Sequence, residues 1–329
     1  MTASLVSLDD VRAAAGRIRG IAVRTPLLEI RAGLKTRPYE TDVRSGGSLD
    51  PPTLGLKCEN FQPSGAFKIR GACNMLAQLP PDARAAGVIT YSSGNHGLAV
   101  ALVARAMQMP AVIVMPENAP RVKVDRVREQ GAEVIMAGTT SADRKTRAER
   151  EASVRNLTIV PPFDHPRIIA GAGTAGLEIL EQRPQTKTIF VPMGGGGQIS
   201  GIGAAVKRMR EGVRIVGVEP TGAARMSASI AAGYAVTLES ASSIADGLLT
   251  LRPGDITFAH VKAFVDQVVT VDDAEMAAAV KWMFSEARVV AEPSGAAAVA
   301  AALRAGEPDA VAVVSGGNVD PAAYANYIV

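Results

Sequence analysis

The chain has little of several things that would each mark a class of protein. There are 2 cysteines in 329 residues, Cys58 and Cys73, and neither has a CxxC partner or a nearby histidine. That excludes a zinc ribbon and a disulfide scaffold, and so few thiols suit a reducing compartment. Aromatic residues make up 4% with a single Trp, too few for a surface that stacks nucleobases. The 35 Lys+Arg and 32 Asp+Glu leave a net charge of only +3, and no basic tract concentrates it, so nucleic acid is not an expected partner. The most apolar stretch, Gly97 to Pro116, is interrupted by Arg105 and Pro110; it reads as helix, turn and buried strand rather than as a membrane span. Near the N-terminus, Asp9 and Asp10 stand where a secretory signal would need an apolar core. The expectation is a cytoplasmic protein with no membrane partner.

What remains is ordinary globular material, 47% hydrophobic and 20% charged, in a length that suggests about two domains. Short apolar runs bounded by Gly or Pro recur at Gly87–Tyr91, Ala111–Met115, Ala132–Met136, Thr188–Val191, Arg214–Val218 and Ala310–Val314. Continuous apolarity over a few residues is the mark of a strand buried on both faces. Helical spacing fills Gly97–Met107, Ala119–Gln130 and Gly201–Arg210. Strand and helix in alternation predict an α/β fold of open, mostly parallel sheets. The segment Ala32–Thr53, rich in Gly, Pro, Ser and charge, reads as an extended surface hairpin or loop.

Four places carry chemistry. Gly194, Gly195, Gly196 and Gly197 follow a strand and precede a helix, where consecutive N–H groups can cradle a phosphate. No Gly-Lys-Ser/Thr follows, so this is not a nucleoside-triphosphate loop. Gly171-Ala-Gly-Thr-Ala-Gly176 matches GxGxxG, but what precedes it makes a poor strand and no acidic residue follows where a ribose would need one, so it reads as a decoy. Lys68 lies in the first turn of a helix that Ser64 could cap. There the field disfavours an ammonium ion and suits an amine that attacks a carbonyl, although a solvated lysine fits the residues as well. Finally, Ser92-Ser93-Gly94-Asn95-His96-Gly97 and Ser315-Gly316-Gly317-Asn318 are small polar turns at strand ends, where open α/β sheets bind ligands.

In this combination the chain resembles the fold-type II pyridoxal-phosphate enzymes, in their threonine/serine dehydratase and serine racemase branch. The matching stretches are Pro63–Ala72, Ser92–Gly97, Ile168–Leu180, Gly194–Gly197, Gly217–Pro220, Ile244–Leu248, Glu292–Ala296 and Ser315–Asn318. The resemblance implies a tryptophan synthase β-like architecture, two open sheet domains with pyridoxal 5'-phosphate between them. The large domain would take residues 1–74 and 166–329, the small one 75–165. Lys68 would hold the cofactor covalently and later move the substrate's α-proton, with Phe67 beside the ring. Asn95 would bond the phenolic oxygen, Gly194–Gly197 the phosphate and Ser315 the pyridine nitrogen, while Gly247 would lie near the ring face. Ser92, Ser93, Asn95 and His96 would line the loop that takes the substrate carboxylate. Ser93 stands where racemising relatives have an acid/base on the face opposite the lysine; a serine that only hydrogen-bonds its loop is the other reading. Arg144 falls where a relative's arginine approaches the substrate, in a helix where a solvated arginine is equally in place. Relatives that bind a divalent cation use a glutamate, a carbonyl and an aspartate; here Glu219 and Ala223 are present but the third position is Arg225, so no metal is expected.

The expected activity is conversion of a 3-hydroxy amino acid to a 2-oxo acid and ammonia, by α-proton removal and loss of the β-hydroxyl, with L-threonine or L-serine first and 3-hydroxyaspartate or phenylserine as alternatives. Because the chain ends soon after Asn318, no regulatory domain is expected, and a homodimer is expected. An amino-acid racemase of the same fold is the nearest alternative. A nicotinamide dehydrogenase using Gly171–Gly176 and a catalytically silent sensor are further ones.

Overall fold

The computed structural model describes residues 4–31, 53–92 and 94–329. Ser93 and nearly all of the Ala32–Thr53 segment lie outside the described residues. Strands β1 (Leu27–Arg31) and β2 (Thr53–Cys58) come first. Four more follow: β3 (Val88–Tyr91), β4 (Ala111–Met115), β5 (Glu133–Met136) and β6 (Thr158–Ile159). The last four are β7 (Thr188–Pro192), β8 (Arg214–Pro220), β9 (Gln267–Val271) and β10 (Ala310–Val314).

They form two sheets. The larger has the order β1-β2-β10-β7-β8-β9 and the smaller β5-β4-β3-β6. Only β1 and β2 run antiparallel, with Leu28 opposite Leu56; the other pairs are parallel. The central strands β7 and β10 are buried throughout, as their unbroken apolar sequence requires. The edge strands β9 and β5 are half-buried or exposed along most of their length. No helix among the described residues is long and apolar enough to cross a membrane.

The GxGxxG stretch lies inside the helix Pro166–Gln182. A Cβ on Gly171 would come within 2.4 Å of the Arg70 carbonyl, and one on Gly173 within 2.7 Å of the Gly201 carbonyl. These glycines therefore let two other helices approach this one. They are Lys68–Leu76 on one side and Gly197–Met209 on the other. The spacing that imitates a dinucleotide fingerprint is a packing device, and its effect is to fix the lysine's helix and the glycine turn's helix against a common partner.

Candidate active site

Lys68 is the first residue of its helix, with Phe67 at the cap position. Ser64 does not cap it; its hydroxyl donates to the Ala66 carbonyl at 3.0 Å. The turn is stitched instead to the chain leaving β10. Phe67 N–H donates to the Ser315 carbonyl at 3.0 Å, Gly317 N–H donates to the Gly65 carbonyl at 2.9 Å, and Ala66 bridges Gly316. Lys68 Nζ donates to the Pro162 carbonyl at 2.7 Å and lies 5.0 Å from the centre of the Phe67 ring. Burial pushes its pKa down to about 8, and no carboxylate offsets the shift.

The four glycines pass from β7 into the helix Gly197–Met209. Among the described residues, none of the N–H groups of Gly194 to Gly197 donates to a partner. Gly196 has φ +97°, a conformation that side chains rarely adopt. A Cβ on Gly195 would meet the Phe163 ring at 2.5 Å. The turn is held in shape by Thr257 Oγ1, which donates to the Gly195 carbonyl at 2.6 Å. Asp164 accepts three N–H bonds at the start of the helix Asp255–Phe264 and ties Phe163 to the same wall. Free N–H groups at the start of a helix make an anion site. Just inside the helix Gly197–Met209, Gln198 is buried and both of its amide atoms lack a partner among the described residues.

Asn95 opens the helix Asn95–Ala106. Its Nδ2 donates to Glu292 Oε1 at 2.5 Å and its Oδ1 accepts from Asn318 Nδ2 at 2.8 Å. Glu292 is buried without an ion partner among the described residues, and burial pushes its carboxyl up to about 8. His96 Nε2 lies 3.1 Å from the Val160 carbonyl, while Nδ1 has no partner among the described residues. A carbonyl only accepts, so Nε2 carries the proton and Nδ1 is a bare lone pair. Burial first, then the Lys68 charge, push the imidazole down to about 3. A neutral ring with a bare nitrogen does not bind a carboxylate; His96 can serve one only through its backbone at the helix start. Ser92 Oγ accepts from Gly94 N–H at 3.4 Å. Ser315 is buried, with Oγ 3.4 Å from the Ser294 carbonyl. Gly247 N–H donates to Ser294 Oγ at 2.9 Å, and its carbonyl lies 3.3 Å from where a Gly194 Cβ would be. The two turns are therefore neighbours.

Arg225 joins them. Its guanidinium donates to the carbonyls of Met193 and Leu248 at 2.6 Å, of Ala223 at 2.6 Å and of Gly194 at 3.1 Å. Glu219 lies 3.6 Å away and accepts from Met226 N–H, Ser227 N–H and Ser227 Oγ. Burial pushes Glu219 up and Arg225 down, each opposed by its partner's charge. Arg144 is not brought to this place. It turns back on the start of its own helix, onto the Thr139 carbonyl and Ser141 Oγ.

The sequence profile described as "Pyridoxal-phosphate dependent enzyme" matches residues 41–316. The chain belongs to that family. It is 38% identical over 320 residues to an L-threonine ammonia-lyase of Thermotoga maritima, covering 96% of this chain and 76% of that one. It is 36% identical over 329 residues to an L-threo-3-hydroxyaspartate ammonia-lyase of a Pseudomonas species, covering 98% and 99%. The solved structure of maize serine racemase superposes with a TM-score of 0.89 at 37% identity, covering 98% of this chain and 97% of that one. The fold is that of fold-type II enzymes, and the cofactor is pyridoxal 5'-phosphate.

The residues present fit that cofactor. A glycine cradle with unused N–H groups suits its phosphate, and an enclosed amine with a lowered pKa suits its aldehyde. Sequence reasoning gave no role to Glu292, Asn318, Gln198, Thr257 or the Pro162 carbonyl. Asn318 stood within the small polar turn after the last strand, and Glu292 and Gln198 left a trace, each a polar residue at the start of a largely apolar helix.

Proposed function

We propose that the chain is a pyridoxal-phosphate-dependent ammonia-lyase that converts a 3-hydroxy amino acid, L-threonine or L-serine first, into a 2-oxo acid and ammonia. The observation that carries this is Lys68, an enclosed amine with a lowered pKa beside a glycine cradle and the Ser315 turn. When bound, the cofactor supplies the electron sink at the substrate's α-carbon. Lys68 takes the α-proton as a neutral amine, and the Pro162 carbonyl orients the ammonium that results. Ser315 offers the pyridine nitrogen a hydroxyl rather than a carboxylate, which keeps the sink weak and favours prompt loss of the β-hydroxyl. Phe67 and Gly247 would flank the ring, Asn95 would bond its phenolic oxygen, and Gly194–Gly197 would bind the phosphate. Ser92 and the N–H groups opening the Asn95 helix take the substrate carboxylate. Arg225 provides fixed positive charge where a cation would otherwise sit, so the activity needs no metal.

Residues 75–165 act as a small domain that closes on the amino acid and excludes water. The ion pair of Lys123 with Asp246, at 3.1 Å, links this segment to the rest of the chain in support of this. The working form is a cytoplasmic homodimer. The test is formation of 2-oxo acid from L-threonine and L-serine; no product from any 3-hydroxy amino acid would refute the reading. Racemisation is a second reading, favoured by Ser93 in the Ser92–Gly97 turn and by the likeness to maize serine racemase. Chiral analysis of recovered serine separates the two. The likeness to a hydroxyaspartate ammonia-lyase keeps 3-hydroxyaspartate in the substrate panel. Arg144, folded back on its own helix, gives that substrate no support.

A further inference from the structure

Asn318, in the turn after β10, sits where three segments meet. Its Nδ2 donates to the Ser64 carbonyl at 2.7 Å and to Asn95 Oδ1 at 2.8 Å. Its Oδ1 accepts from Arg126 Nη1 at 3.4 Å. Gly65, at φ +72°, lets the backbone lie flat against this side chain; a Cβ there would fall 2.4 Å from Asn318 Oδ1.

A primary amide has one end that donates and one that accepts, and its partners decide which way it faces. The Ser64 carbonyl can only accept. Asn318 must therefore turn Nδ2 toward it, and its second N–H falls on Asn95. Asn95 must answer with Oδ1, which leaves its own Nδ2 facing the other way, onto Glu292 Oε1. A backbone carbonyl in the turn before Lys68 thus dictates, through two amides in series, that the site presents a donor at Asn95.

We propose that Asn318 is a positioning residue: pinned between the Ser64 carbonyl and Asn95, it holds the Asn95 amide with its N–H turned toward the cofactor's phenolic oxygen. This rests on the cofactor role proposed above for Asn95. Without Asn318, only the Glu292 contact would restrain the Asn95 amide, and a carboxyl that burial keeps protonated can pair with either end, so an acceptor could face that oxygen.

The test uses two ligands on the apoprotein, pyridoxal 5'-phosphate and the same ring without its 3-hydroxyl. Affinities are measured for the parent, Asn318→Ala, Asn95→Ala and the double variant, with melting curves alongside. Asn318→Ala should weaken the hydroxylated ring about tenfold, the size of one hydrogen bond, and leave the deoxy ring within about twofold. The double variant should be no worse than Asn95→Ala. Equal losses for both rings after Asn318→Ala, or losses that add in the double variant, would overturn the proposal. If Asn95→Ala itself fails to distinguish the rings, the role of Asn95 falls, and this proposal with it. Should Asn318→Ala not fold, Asn318→Ser carries the same comparison, because one hydroxyl proton serves only one of the two acceptors.

Discussion

Two lysines, one fully buried and one half-buried, have opposite surroundings. Lys57, at the end of β2, is fully buried and donates to the Thr25 carbonyl, Glu178 and Gln182 at 2.8, 2.5 and 2.9 Å. Beside it Arg70 meets Glu59 at 2.7 Å and Glu178 at 2.7 Å, so two cations and two carboxylates balance. Burial lowers the Lys57 pKa, and the Glu178 charge opposes the fall only in part. On the other side of the same helix, Lys68, His96 and Glu292 have no ion partner among the described residues, and burial drives each toward its neutral form. The balanced group holds elements together. The unbalanced one holds an amine and a carboxyl that titrate near 8, beside an imidazole kept neutral with a bare lone pair.

Breaking each side should produce opposite symptoms. Lys68→Ala should lower 2-oxo acid formation by roughly 10²–10⁴-fold or more while leaving the melting temperature unchanged or raised, since an uncompensated buried amine is lost. A fall in melting temperature with activity retained would show that the lysine is structural. Arg70→Leu should cost about 3–5 kcal/mol in urea unfolding, because it strands Glu59 without its cation. A cost below about 1 kcal/mol would mean that the cluster is not the anchor it is taken to be.

The pH responses sharpen the contrast. Glu292 titrates near 8 in the folded protein against an ordinary 4.5, so the folded state holds a proton that the unfolded state releases between those values. Its contribution therefore falls as pH rises through that window. Glu292→Gln should remove the fall, so the variant gains on the parent from about pH 4.5 to 8; parallel stability curves would contradict this. Lys68 gives the smallest effect. Its neutral fraction climbs through about 8, so capture of pyridoxal phosphate by the apoprotein should speed up between about pH 7 and 9 and then level off. A rate still rising steeply well above that range would indicate an amine with an ordinary pKa.

Much of the frame was legible because it is local. β4 and β10 have the bounds that their apolar runs predict, and both small polar turns open where the strands end. β2 escaped notice because Gly55 and Lys57 break its apolar run, and Lys57 is tolerable there only through Glu178, which is remote in sequence. β6 is two residues long and β9 lies half-buried at an edge. Ser64 was misjudged because the chain ending at Ser315, not a side chain, holds the start of the lysine's helix. Lys68 and the glycine turn could be picked out from residue type and order. The His96 tautomer, the four carbonyls on Arg225 and the Asn318–Asn95 chain depend on partners that only the fold brings near, and no local pattern encodes them.

The central claim is that the unpaired amine, not the paired one, holds the cofactor. Borohydride reduction of the holoprotein followed by peptide mass mapping tests it directly. A pyridoxyl phosphate mass on the peptide containing Lys68, absent from Lys68→Ala, is the predicted result. The same mass on Lys57 or another lysine, or on none in protein supplied with the cofactor, would contradict the account.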